Sequence, residues 1–123
     1  MCDQIINGNC HCGAVSFAYH GGPAHLVVCN CSICRRLRPL LAHGTSLNIA
    51  VTAPDDATIA YMQGDKQIAY HSCRICGCTT HWDSVNPESP RDMAVNMALA
   101  DPADIENIPL RHFDGADSWR FLD

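Results

Sequence analysis

Short stretches in which apolar and polar residues alternate recur along most of this chain, and they predict β-strands. Glycine and proline separate several of these stretches, as turns between strands require. Two stretches flank Gln63-Gly64-Asp65 closely enough to predict a hairpin. The predicted strands cover residues 14–19, 26–28, 46–52, 58–62, 66–71, 79–85 and 93–99.

Two short helices interrupt this pattern. The first is predicted over residues 32–38 and ends at Pro39, because the residue before a proline disfavours the helical backbone. The second begins after Asp101, whose side chain can cap it, and Pro102 suits its first position. The chain is therefore predicted to be mainly β, with antiparallel sheets and one or two short helices, in a single domain over residues 1–123.

Composition and charge narrow the classes of function. The chain has 123 residues, 47% of them hydrophobic, and a formal net charge of -5 with eight Lys and Arg. Nucleic acid is not an expected partner, because binding to phosphates requires clustered positive charge. No apolar run is long enough to span a bilayer, and residues 1–8 do not resemble a signal peptide. A cytoplasmic protein without a membrane partner is expected, and its oligomeric state is not indicated.

The nine cysteines carry the strongest chemical information. In a reducing compartment such a density indicates metal binding rather than disulfides. Cys2 lies apart near the start of the chain and is predicted to be no ligand. The other eight form three clusters with C-x-C and C-x-x-C spacing, which lets tight turns direct two thiolates at one zinc ion. These clusters are Cys10 and Cys12; Cys29, Cys31 and Cys34; and Cys73, Cys76 and Cys78.

The outer clusters can each supply two ligands to one closed site. Four thiolates around zinc form a structural centre, and the energy of metal binding then contributes to folding. The predicted ligands are Cys10, Cys12, Cys73 and Cys76.

The middle cluster offers three ligands within six residues, namely Cys29, Cys31 and Cys34. Three protein ligands and an open position are typical of a catalytic metal. Cys78 is left over and is a candidate fourth ligand that would close this second site. A redox role for a C-x-x-C pair is less favoured, because no thioredoxin-like pattern surrounds the clusters.

The motifs resemble those of the glutathione-dependent formaldehyde-activating enzyme family, which includes relatives of centromere protein V. The resemblance rests on GNCHCGAVSF at residues 8–17, CNCSICRR at 29–36 and CRICG at 73–77, with shorter matches towards residue 115. It implies small coiled antiparallel sheets related to zinc ribbons. It also implies two zinc ions, a structural ion on the four outer cysteines and a second on the middle three.

The resemblance further implies a carbon–sulfur lyase activity on a thiol–aldehyde adduct such as S-hydroxymethylglutathione. The partners would be a small thiol such as glutathione and an aldehyde. On this interpretation Cys29, Cys31 and Cys34 are catalytic through their metal. The alternative is a non-catalytic binding module, stapled by zinc, in which both metals are structural.

Two sets of side chains could assist such chemistry. Arg35 and Arg36 directly follow the middle cluster and could hold a carboxylate of a glutathione-like ligand. The simpler interpretation is that they are solvated helix residues that offset the negative charge of the thiolates. His71, His81 and Asp83 flank the third cluster and are hypothetical proton carriers.

Overall fold

The computed structural model describes residues 4–62, 64–86 and 88–123, and these contain ten strands in two sheets. Cys2 and Gln63 lie outside the described residues. The strands are β1 (Ile5–Asn9), β2 (Ser16–His20), β3 (Leu26–Cys29), β4 (Leu41–Thr45), β5 (Ile49–Thr52), β6 (Thr58–Met62), β7 (Ile68–Cys73), β8 (Thr79–Ser84), β9 (Asp92–Asn96) and β10 (Leu110–Phe113). The helices are α1 (Cys34–Leu37), a 3₁₀ turn (Met97–Leu99) and α2 (Pro102–Ile105).

The smaller sheet has the strand order β1-β2-β5, and the larger has the order β10-β3-β4-β9-β8-β7-β6. Neighbouring strands are antiparallel except β10 and β3, which run parallel. This confirms the prediction of a mainly β protein with antiparallel sheets and two short helices. No helix in the described part of the chain is long and apolar enough to cross a membrane.

The main core lies between the two sheets. Ile6 and Phe17 from the smaller sheet pack in one buried cluster with Ala42 and Val95 from the larger. Burial alternates along β1 and β2, so their apolar residues share one face. Gly8 contacts the Phe17 ring, and a side chain at that position would overlap it. The glycine therefore lets the two strands close over an aromatic residue.

The opposite face of the larger sheet carries a second apolar cluster. Tyr70 and Trp82 lie side by side there on β7 and β8, and Leu41 joins them from β4. Cys34 is buried in the same cluster. The larger sheet is thus covered by the core on one side and supports a cysteine loop on the other.

Most predicted strands are found, including the hairpin of β6 and β7. Strands β1, β4 and β10 were not predicted, because the polar residues and glycines within them weaken the β pattern. The prediction of a strand through residue 99 is wrong. The Asn96 side chain accepts a hydrogen bond from the Ala98 N–H at 3.1 Å and caps a 3₁₀ turn at that point.

The helix predictions are confirmed with shorter bounds. Helix α1 begins at Cys34 rather than residue 32 and ends at Leu37, where the next residue, Arg38, adopts a left-handed conformation with φ of 57°. The Asp101 side chain caps α2 as predicted, accepting from the Ala103 N–H at 3.0 Å, and Pro102 is the first helical residue.

Candidate metal centres and the adjoining cleft

Two similar turns build the first thiol group, which consists of Cys10, Cys12, Cys73 and Cys76. In each turn the N–H of the first cysteine donates to the carbonyl five residues later, at 2.9 Å for Cys10 and 2.8 Å for Cys73. Gly13 and Gly77 have φ of 85° and 81°, a conformation that glycine adopts without strain. One turn follows β1 and the other follows β7, so the group joins the two sheets.

The four sulfur atoms of the first thiol group lie within 4.8 Å of one another. Cys12 Sγ lies 3.7 Å from Cys10 Sγ and 3.6 Å from Cys73 Sγ. Backbone N–H groups of Cys78 and Cys12 lower the pKa of the Cys76 thiol to about 5. The thiolate is the form that binds metal. Four converging sulfurs, with N–H groups that stabilise thiolate, fit the ligand set of a closed zinc site.

The second thiol group consists of Cys29, Cys31 and Cys34, at the end of β3, in the following turn and at the start of α1. Its three sulfur atoms also lie within 4.8 Å of one another. The Cys31 N–H donates to Cys29 Sγ and the Cys34 N–H to Cys31 Sγ, each at 3.4 Å. Burial raises the pKa of Cys31, but the N–H of Cys34 and further hydrogen bonds outweigh it and leave the pKa lowered. This donor set fits a metal with three protein ligands.

Cys34 is the most enclosed member of the second thiol group. It is buried, and its sulfur lies 3.3 Å from the Tyr70 hydroxyl on β7. Burial raises the pKa of Cys34 and also that of Tyr70, whose contact with Cys34 acts in the same direction. The hydroxyl of Tyr70 therefore stays protonated and fixes the sulfur against the sheet.

Cys78 lies with the first thiol group. It packs against the buried cluster of Cys10, Val15 and Cys73. The three thiols that converge in the second group do not include it. The structure therefore does not bring Cys78 to the position in which it would close the second group.

A cleft of about 960 Å³ opens beside the second thiol group, whose three cysteines line it. Five aromatic side chains form much of its wall: Tyr70, Trp82, Phe113, Trp119 and Phe121. Gly115 lies so close that a Cβ there would be 2.6 Å from Cys29 Sγ. Only glycine allows the backbone this approach to the cysteine loop.

Asn30 attaches one wall of the cleft to the cysteine loop. Its side-chain amide donates to Asp114 Oδ1, and its carbonyl oxygen accepts from the Ala116 N–H, both at 3.0 Å. In that wall the Phe113 ring lies 5.5 Å from Trp119 and 5.2 Å from Phe121, edge to face. Sequence reasoning missed Asn30 and this wall; the aromatic residues in an otherwise polar segment were the available signal.

His43 also lines the cleft, and its ring lies edge to face with Trp82 at a centroid distance of 5.6 Å. Solvent reaches His43 through the open cleft, yet the protein packed around the imidazole desolvates it and lowers its pKa. His25 lowers the pKa further, and Asp92 opposes the shift. His43 is therefore neutral at pH 7 and can accept a proton.

The two arginines lie outside the cleft. Among the described residues, its lining includes neither Arg35 nor Arg36. Arg36 Nη1 donates to the Ser32 carbonyl at 2.7 Å on the exposed side of the loop, and Arg35 borders a smaller depression beside His112. The structure places both beside the cysteine loop, but not where the cleft could present a ligand carboxylate to them.

His71, His81 and Asp83 form a cluster on the other face of the larger sheet from Tyr70 and Trp82, since neighbouring residues in a strand point to opposite faces. His71 Nε2 lies 2.9 Å from Asp83 Oδ1, and the two imidazoles stack at 4.4 Å. Burial lowers the pKa of His81 to about 4, with His71 acting in the same direction. The cluster is thus separated from the second thiol group by the sheet.

Comparison with known proteins gives a consistent result. A family model described as glutathione-dependent formaldehyde-activating enzyme matches residues 5–112. A crystal structure of a Rhodobacter sphaeroides protein is similar to this chain with a TM-score of 0.67 and 29% sequence identity, covering 85% of this chain and 99% of that chain. A search of the curated proteins found no match. The family match spans both thiol groups.

Proposed function

The chain belongs to the glutathione-dependent formaldehyde-activating enzyme family, and from this premise we propose that it is a zinc-dependent carbon–sulfur lyase. Its substrate would be the adduct of a small thiol and an aldehyde. The observation that carries the proposal is the convergence of three thiols, Cys29, Cys31 and Cys34, at the wall of an open cleft. A site with three protein ligands leaves a metal position for substrate.

The two thiol groups would hold zinc for different purposes. Cys10, Cys12, Cys73 and Cys76 would form a closed structural centre between the sheets. Cys29, Cys31 and Cys34 would hold the second ion. When bound there, zinc supplies a positive centre that stabilises a substrate sulfur as thiolate.

The reaction needs no oxidant or reductant. In the lyase direction the carbon–sulfur bond of the adduct breaks, and its electron pair stays on sulfur. The hydroxyl on the same carbon loses its proton as the aldehyde carbonyl forms, so that the products are thiolate and aldehyde. We assign acceptance of this proton to His43, which faces the cleft and is neutral at pH 7 because its pKa is lowered.

The remaining residues position the site. Tyr70 holds Cys34 against the sheet, and Asn30 fixes the wall that carries Phe113. Gly115 lets that wall approach Cys29. These contacts keep the three thiols and the cleft in one arrangement before substrate enters, and such preorganisation favours catalysis.

Cobalt substitution tests the proposal. A small neutral thiol, 2-mercaptoethanol, is added to the cobalt-loaded protein while the visible spectrum is recorded. We expect a new thiolate-to-cobalt transition that is lost in Cys31→Ser. Breakdown of the mercaptoethanol–formaldehyde adduct should be accelerated by the zinc protein and slowed about 100-fold or more in His43→Gln, because general-base catalysis contributes effects of this size.

The matched control is Arg36→Gln, a change beside the cysteine loop but outside the cleft, which should leave both readouts unaltered. A spectrum that no thiol changes would contradict the lyase proposal. The function would then be that of a binding module in which both metals are structural.

A further inference from the structure

Apart from the second thiol group, the lining of the cleft contains almost no charged side chain. Among the described residues that line it, Asp65 is the only Asp, Glu, Lys or Arg. Asp65 lies exposed at the turn between β6 and β7, on the rim. The lining also contains His25 and His43; desolvation lowers the pKa of His43, with His25 acting in the same direction, so that His43 carries no positive charge at pH 7. A ligand in the cleft therefore contacts one carboxylate, that of Asp65, and no lysine or arginine.

Two arginines near the cleft, Arg36 and Arg111, make their contacts outside it. Arg36 binds the carbonyl of Ser32. Arg111 lies over the ring of Phe121 at 4.0 Å, and its Nη2 donates to the Asp123 carbonyl at 2.7 Å. Phe121 lines the cleft but Arg111 does not, so the aromatic ring stands between this guanidinium and a bound ligand.

The aromatic residues of the wall pack directly with the cysteines. Tyr70, Trp82 and Phe113 belong to the same apolar cluster as the second thiol group. Farther out, Trp119 is 74% exposed, so much of its indole is free to contact a ligand. Aromatic rings bind one another favourably in stacked or edge-to-face arrangements, beyond the area they bury. A ring attached to a sulfur at the cysteines would lie among these side chains.

We propose that the thiol half of the substrate is an uncharged aromatic thiol rather than glutathione. For its reaction this inference rests on the proposed function, and it names the substrate class of that site. Glutathione carries two carboxylates and an ammonium group, and the cleft would desolvate a carboxylate without pairing it with a cation. Asp65 would in addition repel both carboxylates.

Intrinsic fluorescence reports directly on the cleft, because both tryptophans of the chain, Trp82 and Trp119, line it. The zinc-loaded full chain is titrated with phenylmethanethiol, 2-mercaptoethanol and glutathione, which share the thiol and differ in ring and charge. We expect phenylmethanethiol to bind at least about 10-fold more tightly than the other two. Glutathione should bind no more tightly than mercaptoethanol.

Variants assign the selectivity to named residues. Phe121→Leu should weaken the binding of phenylmethanethiol several-fold and leave the affinity for mercaptoethanol unchanged. Asp65→Asn should strengthen the binding of glutathione and of neither other thiol. Tyr61→Leu is the matched control, since Tyr61 is an exposed aromatic residue on β6 outside the cleft lining. It should change none of the three affinities.

The outcomes separate this inference from the lyase proposal. If glutathione binds more tightly than phenylmethanethiol and also shifts the cobalt spectrum, the aromatic preference is wrong and the lyase proposal stands. Phenylmethanol has the ring but no thiol. If it competes with phenylmethanethiol while no thiol shifts the cobalt spectrum, the preference for an aromatic ligand stands and the lyase proposal fails. Failure of all three thiols to quench fluorescence overturns the preference.

Discussion

The two thiol groups use the same side chain in opposite ways. Cys10 and Cys73, in the first group, are buried at turns that follow strands of different sheets. The second group comes from one short loop, and its three members line an open cleft. The first group therefore joins distant parts of the fold, while the second holds together only its own loop and offers a surface to a ligand.

This difference determines whether the free energy of metal binding contributes to folding. A metal on the first group would close a long loop of the chain, so that its binding energy becomes folding energy. A metal on the second group would constrain few residues that are not already ordered by α1 and β3. The same ion could thus stabilise the fold at one place and serve chemistry at the other.

The largest expected effect comes from removing one ligand of each group. Cys76 and Cys31 are both partly buried, so that Cys76→Ser and Cys31→Ser form a matched pair. We expect Cys76→Ser to lower the free energy of unfolding by about 3 kcal/mol or more, and Cys31→Ser by about 1 kcal/mol. Urea unfolding followed by circular dichroism, with metal content measured alongside, checks this. Equal losses in the two variants would remove the distinction between the groups.

A second expected difference concerns the order of metal release. The site with three thiolates exposes its metal to the cleft and should yield it to a chelator first. We expect two phases in a colorimetric zinc-release experiment, the faster one absent in Cys31→Ser. The fold, followed by circular dichroism, should persist through the fast phase and fail in the slow one. Release in a single phase, with both ions lost together, would contradict this order.

A smaller effect on the free energy of unfolding is expected in acid, and it comes from His81 in the larger sheet. His81 on β8 is buried, and its pKa is lowered to about 4 from an ordinary value near 6.5. Below pH 6.5 the unfolded chain binds a proton that the folded chain excludes, so stability falls as the pH drops towards 4. The full loss corresponds to about 3 to 4 kcal/mol.

His81→Gln tests this, because glutamine carries no titrating group. The difference in unfolding free energy between wild type and variant should shrink from pH 7 to pH 4.5. Metal release in acid affects both proteins and cancels in the difference. A difference that stays constant with pH would show that His81 titrates normally in the fold.

Local signals in the sequence were sufficient for much of this structure. Cysteine spacing predicts that the two thiols of a turn point the same way, and this holds for Cys10 with Cys12 and for Cys73 with Cys76. It does not hold for Cys78, which lies outside both converging groups. The hairpin of β6 and β7 follows from alternation around a turn. The cap at Asp101 is likewise a property of neighbouring residues.

The cleft could not be predicted in the same way, because it depends on pairings between distant segments. The polar strand β10 is held by its parallel partner β3 rather than by its own pattern. The role of Asn30 depends on its hydrogen bond to Asp114, a residue far away in the sequence.

The parallel pairing of β10 with β3 has a consequence for biosynthesis. Every cysteine of both thiol groups precedes residue 77, whereas Phe113, Trp119 and Phe121 follow much later. A chain emerging from the ribosome thus presents all seven thiols to the cellular metal supply before the wall of the cleft exists. Loading with metal can precede the formation of the pocket that later restricts access to it.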